Sequence, residues 1–389
     1  MLSKIEFLAE LCTKLESHGI TANADRCLRS RHQHSSCARC AQACPTSAIT
    51  CDTELKLDPE KCTGCGACAA VCPGGALVAT SPTNAELLAR INRQAAETGA
   101  VAFACQRHLK EHPADLERSI TVECIARLDE SLLVDAALSG ASVVCLVDGS
   151  CSQCPQSSVR EGAFRAVETS NRLLSAWNIA GSVEVGSSPP SWIRPIPVEE
   201  PPASGLSRRG FFTALRGEGA SVASAALPSI IASVIAPDEK TQSTGKPTLS
   251  DLPRELPVKW YSLRRSLLRI ATKPVHPTLE STLWADVRFS ANCNGCKICA
   301  ELCPTEALIS LECDGQTGVF FQPDKCNQCN LCRDICPRNC VEISVTIDPN
   351  DILDGKPRLL VRNNVQEIAE FEDPPEKKLA RLLGCQVTC

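Results

Sequence analysis

Aromatic side chains are scarce in this chain. They make up 4% of its 389 residues, with nine Phe, four Trp and a single Tyr, and there is only one Met. Large rings supply much of the buried area of ordinary cores, so conventional cores should be small here and something else must help to hold the fold. Other absences narrow the function. No uninterrupted apolar run reaches ~18 residues without a breaker, which argues against a membrane span. The first fifteen residues alternate charged and apolar positions and lack the continuous apolar core of a secretion signal. The net charge is −5 with no strongly basic block, so nucleic acid is not an expected partner. There is no Gly-x-Gly-x-x-Gly fingerprint and no phosphate-binding loop, which weighs against a flavin or nicotinamide site.

What is abundant is cysteine, with 27 residues. Without a secretion signal, so many thiols point to metal ligation in a reducing compartment rather than to disulfides, and the expected location is the cytoplasm. The thiols concentrate in two blocks, near 27–78 and 293–340, that look like copies of one another. Residues 1–80 and 286–347 are therefore expected to be two related modules. Between them, short apolar runs at 101–104, 120–123 and 142–147 alternate with helical patterns at 84–97, 130–139 and 159–176. This predicts a small parallel α/β domain over 81–185. Residues 186–285 turn to Pro, Ser and Gly and read as an extended linker, while 348–389 reads as a polar tail. An amphipathic helix is expected over 2–17.

The later block reads Cys293-x2-Cys296-x2-Cys299-x3-Cys303-Pro304, then Cys326-x2-Cys329-x2-Cys332-x3-Cys336-Pro337. In this pattern three close thiolates grip three corners of one iron–sulfur cube, and the fourth, before proline, serves the other cube. Cys336 should thus join Cys293, Cys296 and Cys299, and Cys303 should join Cys326, Cys329 and Cys332. The earlier block holds one complete run, Cys62, Cys65, Cys68 and Cys72-Pro73, whose first three should join Cys44. Its partner run, Cys37-x2-Cys40-x3-Cys44-Pro45, lacks the first cysteine and has His34 there. The site of Cys37, Cys40 and Cys72 then needs a fourth ligand. His34 has the correct offset and imidazole can bind iron. Cys27 competes with it, and Cys51 or a three-iron cluster are further alternatives.

These motifs resemble the bacterial two-cluster ferredoxin family over about 40–78 and 290–345. The resemblance implies a fold of α+β ferredoxin-like modules at both ends of the chain, four [4Fe–4S] clusters, and one-electron transfer without bond chemistry at iron.

In the central domain, Cys105 and Cys124 each end a predicted strand, and Cys151 and Cys154 follow a third. The carboxyl ends of parallel strands open on one edge, so these four thiols should converge on a metal site, most simply [2Fe–2S], with zinc as the alternative. A redox-active Cys151/Cys154 pair is the competing reading. Cys145 falls inside a strand and should be a buried apolar residue. The Cys124-x-x-Arg127, Gly140-Ala141 and Cys151-x-x-Cys154 layout resembles the iron–sulfur delta subunit of methyl-viologen-reducing hydrogenases, a domain also fused to some heterodisulfide reductases. That resemblance implies an adaptor that passes electrons between a catalytic partner and another redox subunit.

The expected function is an electron-transfer subunit of a larger redox complex in anaerobic metabolism. Its partner would be a hydrogenase-, heterodisulfide-reductase- or molybdoenzyme-like subunit acting as donor or acceptor. The alternative is an oxidoreductase that itself reduces a disulfide or sulfur compound, at the central cysteines or at the His34-side cluster. The segment Ser207-Arg-Arg-Gly-Phe-Phe212 and the small apolar run at 220–236 resemble a twin-arginine export signal, but they lie far from the N-terminus. Cys12, Cys313, Cys340, Cys385 and Cys389 carry no assigned role, and His108 and His112 read as solvated.

Overall fold

A computed structural model describes residues 19–52, 54–195, 252–313 and 316–364. The expected helix at 2–17, Cys12, the motif at 207–212, the run at 220–236, Cys385 and Cys389 lie outside the described residues. Everything described belongs to one unit, residues 1–196 and 251–389.

The centre is a four-stranded parallel sheet. Its strands stand in the order Ile120–Val122, Ala100–Cys105, Val143–Val147, Ser182–Gly186. Side chains alternate across it with the period of two that a strand imposes. Val101, Phe103, Val144 and Leu146 join the main core with Leu132, Leu133, Leu173 and Leu174. Ala100, Ala102, Ala104, Cys145 and Val147 form the opposite face beneath Leu109 and Ile193. Cys145 is 1% exposed, as its place inside a strand predicts.

The helices around the sheet start and stop where local chemistry dictates. Asn84–Thr98 opens on a capping box of Thr83 and Glu86 and closes on Gly99 at φ 70°. Glu130–Leu138 is capped by the Asp129 carboxylate, which accepts from the Ser131 and Leu132 N–H groups. Arg160–Ala176 buries Leu173 and Leu174 against the sheet.

Two expectations about the connections need correction. The stretch expected to be an extended linker over 186–285 contains a helix, Val258–Leu268, whose Trp260, Leu263 and Leu267 enter the central core. Those positions form an i, i+3, i+7 stripe, which the surrounding prolines and serines obscure in sequence. The Trp260 Nε1–H donates to the Leu283 carbonyl at 2.8 Å. Three of the chain's four tryptophans are spent here, with Trp177, Trp260 and Trp284 each 1% exposed in this one core. The expected tail beyond 348 also folds: Asn350–Asp354 is helical, and Arg358–Asn364 pairs antiparallel with Gln316–Phe321.

The two cysteine-rich blocks repeat one plan. In each, an early strand pairs antiparallel with a late one, Ile20–Ala22 with Leu77–Ala79 and Asp286–Phe289 with Val341–Ser344. A hairpin lies between them, Ile49–Thr50 with Lys56–Leu57 and Leu308–Cys313 with Gln316–Phe321. Their cores are small. Five of the eleven buried members in the N-terminal block are cysteines, so much of that interior is thiol rather than hydrocarbon.

Candidate metal centres

Backbone conformation explains how thiols three residues apart reach one point. In three of the four runs the residues on both sides of the middle cysteine are left-handed. These are Gly64 and Gly66 (φ 70° and 78°), Gly295 and Lys297 (68° and 63°), and Gln328 and Asn330 (52° and 65°). Two such steps coil the chain so that its sulfurs face the same side. Asparagine visits this conformation readily, but lysine and glutamine are held there against their ordinary preference, so the surrounding fold enforces the loop.

A second feature recurs in all four runs. The third residue after each fourth cysteine is also left-handed: Ser47, Gly75, Glu306 and Asn339. The chain thereby returns an N–H to the sulfur. Ala48 donates to Cys44 Sγ at 3.2 Å, Ala76 to Cys72 Sγ at 3.3 Å, Leu308 to Cys303 Sγ at 3.5 Å and Cys340 to Cys336 Sγ at 3.5 Å. Such bonds favour the thiolate, which is the form that binds metal.

The folded chain brings these sulfurs near one another in groups. Cys68 stands with Cys65, Cys62 and Cys44, and burial followed by those neighbouring thiols pushes it up to about 12. Cys326 is pushed up to about 12, chiefly by burial, and both it and Cys329 lie near Cys303. Cys332 is raised by burial and by Cys329, Cys326 and Cys303. Cys299 is raised by burial and then by Cys296, Cys293, Cys303 and Cys336. Buried thiols that oppose one another's ionisation form a donor set that binds multivalent cations well, because the metal supplies the missing positive charge. The donor sets therefore fit iron–sulfur clusters.

The remaining cage has a different backbone. Ala38 has φ −135°, and neither it nor Ser36 is left-handed, so the run before Cys44 does not adopt the loop of its three counterparts. His34 is not delivered to the thiols. It is exposed, with its Nε2 3.4 Å from Gln33 Nε2 and its ring edge-on to His32 at 5.3 Å between centroids. Cys27 occupies the interior instead. Burial raises Cys37, and so do the nearby Cys72 and Cys27. Cys40 is raised by burial and then by Cys72, Cys51, Cys37 and Cys27. Five thiols thus surround one site.

The central thiols meet at the carboxyl edge of the sheet, in a cavity of about 320 Å³ lined by Cys105, Cys124, Cys151 and Cys154. The strand order turns back beside Ala100–Cys105, so this edge is the crevice where α/β sheets place ligands. Burial pushes Cys124 up to about 12 and Cys151 up to about 11, with Cys105 adding to both. His108 Nε2 lies 2.9 Å from Asp115 Oδ2 behind Cys105, and the imidazole is 2% exposed. The expectation that His108 is solvated is therefore corrected: the short helix Gln106–Glu111 turns it inward. Among the described residues no group of three or more His, Cys, Asp or Glu side chains is close enough to hold one metal ion.

A family model described as a 4Fe-4S binding domain matches residues 55–78 and 288–309, and a second model of the same description matches 323–339. It is an iron–sulfur protein with 4Fe-4S binding segments. The matched stretches contain the three runs with left-handed loops, and the run of Cys37, Cys40 and Cys44 lies outside them. No curated protein and no solved structure matches the chain. Among the described residues of this iron–sulfur protein no helix is long and apolar enough to cross a membrane.

Some residues at these sites were hard to read from the sequence. Cys340 Sγ lies 3.4 Å from Cys336 Sγ, giving that cage a fifth thiol as well. Its offset, four residues past Cys336, is the place of the returning N–H, which is the signal that could have found it. Arg127 is 4% exposed, and its Nη2 donates to Asn84 Oδ1 and lies 3.5 Å from the Pro82 carbonyl. A lone arginine three residues after a cysteine signals this only in part.

Proposed function

We propose that this iron–sulfur protein carries four [4Fe–4S] clusters and a fifth, [2Fe–2S] centre, and relays single electrons to a redox enzyme subunit in the cytoplasm. Cage I comprises Cys37, Cys40, Cys72 and Cys27, and cage II Cys44, Cys62, Cys65 and Cys68. Cage III comprises Cys303, Cys326, Cys329 and Cys332, and cage IV Cys293, Cys296, Cys299 and Cys336. The central cage is Cys105, Cys124, Cys151 and Cys154. The observation that carries the reading is that buried thiols distant in sequence are brought near one another inside the fold, in the runs that match 4Fe-4S binding domains and at the carboxyl edge of the sheet.

Bound clusters supply reversible one-electron chemistry. The chain's residues hold them, exclude water and tune them through backbone N–H bonds to sulfur. Four thiolates per cage leave no open iron for substrate, which favours relay over catalysis. The hydrogenase-, heterodisulfide-reductase- or molybdoenzyme-like partner rests on the central domain's resemblance to the delta subunit.

Iron and acid-labile sulfide in anaerobically purified protein provide the test. About 16 irons per chain are expected from four cubanes, and about 2 more from the central site; fewer than about 12 would end the reading. The assignment of Cys27 has its own test. Cys27→Ser is expected to lose about 1 to 4 irons per chain, the range from a three-iron remnant to an empty cage, while His34→Ala keeps them all. Retention in the first variant with loss in the second reverses the assignment. Cys27 is preferred to Cys51 because both Cys37 and Cys40 feel it, whereas Cys51 adjoins Cys40 and Cys27.

A further inference from the structure

Duplicated two-cluster modules can be joined in several ways. Either cage of the N-terminal module could face either cage of the other, and the central site could stand between them or at one end. Side chains at two junctions distinguish these arrangements.

The first junction joins the central site to cage II. Cys124 packs on the small cluster formed by Cys65, Ala67, Ala126 and Val159. The backbone of Gly66 approaches Arg127 so closely that a Cβ there would lie 2.6 Å from its Cδ. The cage II loop and the turn after Cys124 are thus in direct contact.

The second junction joins cage I to cage III. Asn327, 1% exposed, donates its Nδ2–H to the Pro73 carbonyl at 2.6 Å. Pro73 follows Cys72 of cage I, and Asn327 follows Cys326 of cage III. Arg39, beside Cys40, donates to the Gln328 carbonyl at 2.8 Å, and Gln328 precedes Cys329. Ser36, beside Cys37, donates its N–H and its hydroxyl to Asp334 Oδ2, each at 2.7 Å. Every one of these bonds starts one residue from a cage I ligand.

We propose, resting on the cage reading above, that the five cages stand in single file in the order central, II, I, III, IV. Cages I and III form the seam between the modules. Within each module the exchanged fourth ligands already tie the two cages together: Cys40 of cage I and Cys44 of cage II are joined by three residues, as are Cys299 and Cys303 of cages IV and III. The order leaves two ends, the central cavity and the cage IV loop, and these are where a donor and an acceptor would meet the chain. Cages I and III are interior.

The test uses full-length protein, reduced anaerobically and studied by EPR, with iron determined on each sample. Removing cage I with Cys37→Ser/Cys40→Ser is expected to abolish the magnetic interaction that broadens one C-terminal signal. Removing the central site with Cys151→Ser/Cys154→Ser is expected to change only N-terminal signals. C-terminal signals that respond to the central-site variant, or ignore the cage I variant, overturn the order. Wild-type protein with fewer than about 12 irons instead overturns the cage reading itself, whatever the signals do.

Asn327→Ala leaves every thiol in place and serves if the ligand variants do not fold. Hydrogen exchange over residues 70–77 is expected to rise about fivefold when their bond across the seam is lost. Unchanged exchange over 70–77 overturns the junction.

Discussion

Stripped of iron by a chelator under anaerobic conditions, the protein is expected to lose the fold of both terminal modules and keep that of its central domain. The reason lies in what fills each interior. The central core contains Trp177, Trp260, Trp284, Phe103 and a large set of Leu, Ile and Val side chains. The N-terminal core has Ile20, Ile49, Leu55 and Leu77, and is otherwise cysteine and alanine. A cage without contents is a void, and voids destabilise in proportion to their volume. The two- and three-residue strands Ile49–Thr50 and Leu77–Ala79 cannot offset that cost. Hydrogen exchange by mass spectrometry reads the outcome directly. Residues 36–76 and 293–340 should exchange freely while 84–138 and 160–186 stay protected. Equal protection of all these segments in iron-free protein would show that the clusters are passengers in the fold.

Gly66→Ala is expected to damage the protein far more than Gly99→Ala, although both glycines are left-handed. Gly66 has φ 78° and Gly99 φ 70°, so the added methyl meets a similar conformational penalty of about 1 kcal/mol at either site. Around Gly99 nothing lies within 4 Å of an added Cβ. At Gly66 the Cβ would sit 2.6 Å from Arg127 Cδ and 3.1 Å from Arg127 Cα. The Cδ could swing away, but the backbone atom could not. Moving it disturbs a buried guanidinium held by Asn84 and the Pro82 carbonyl. A total loss of more than about 3 kcal/mol is expected at Gly66. It should be accompanied by loss of about 4 irons as cage II opens. Thermal melts followed by helical circular dichroism, with iron assayed alongside, compare the two variants. Similar losses in both would mean that the contact between cage II and the central domain carries no weight.

The parts of this protein that were legible in its sequence are those set by neighbours along the chain. Thr83, Glu86 and Gly99 mark both ends of a helix by hydrogen bonds within four residues, and Asn84–Thr98 forms where they predict. The alternation of apolar runs and helical patterns around 101–147 becomes a parallel sheet, and Cys105, Cys124, Cys151 and Cys154 meet at its carboxyl edge. The helix Val258–Leu268 was missed because its three inward side chains acquire meaning only against a surface supplied by residues more than a hundred positions away.

His34 shows where reasoning by spacing stops. Its offset from Cys37 is right for a ligand, but offset alone does not aim a side chain. The loop must also turn left-handed on both sides of the middle cysteine, and Ser36 and Ala38 do not. Cys27, from outside the motif, is buried in the same core as Cys40 and Cys72.

Taken alone, the amino-acid order determined the kind of centre this protein holds, because a tight loop presents its three sulfurs through local geometry. Tertiary structure decided that Cys27 rather than His34 is buried beside Cys37 and Cys40, and which segments of the modules meet. Those choices depend on Asn327 meeting Pro73 and Cys124 meeting Cys65, contacts between segments far apart in the chain that only packing brings together.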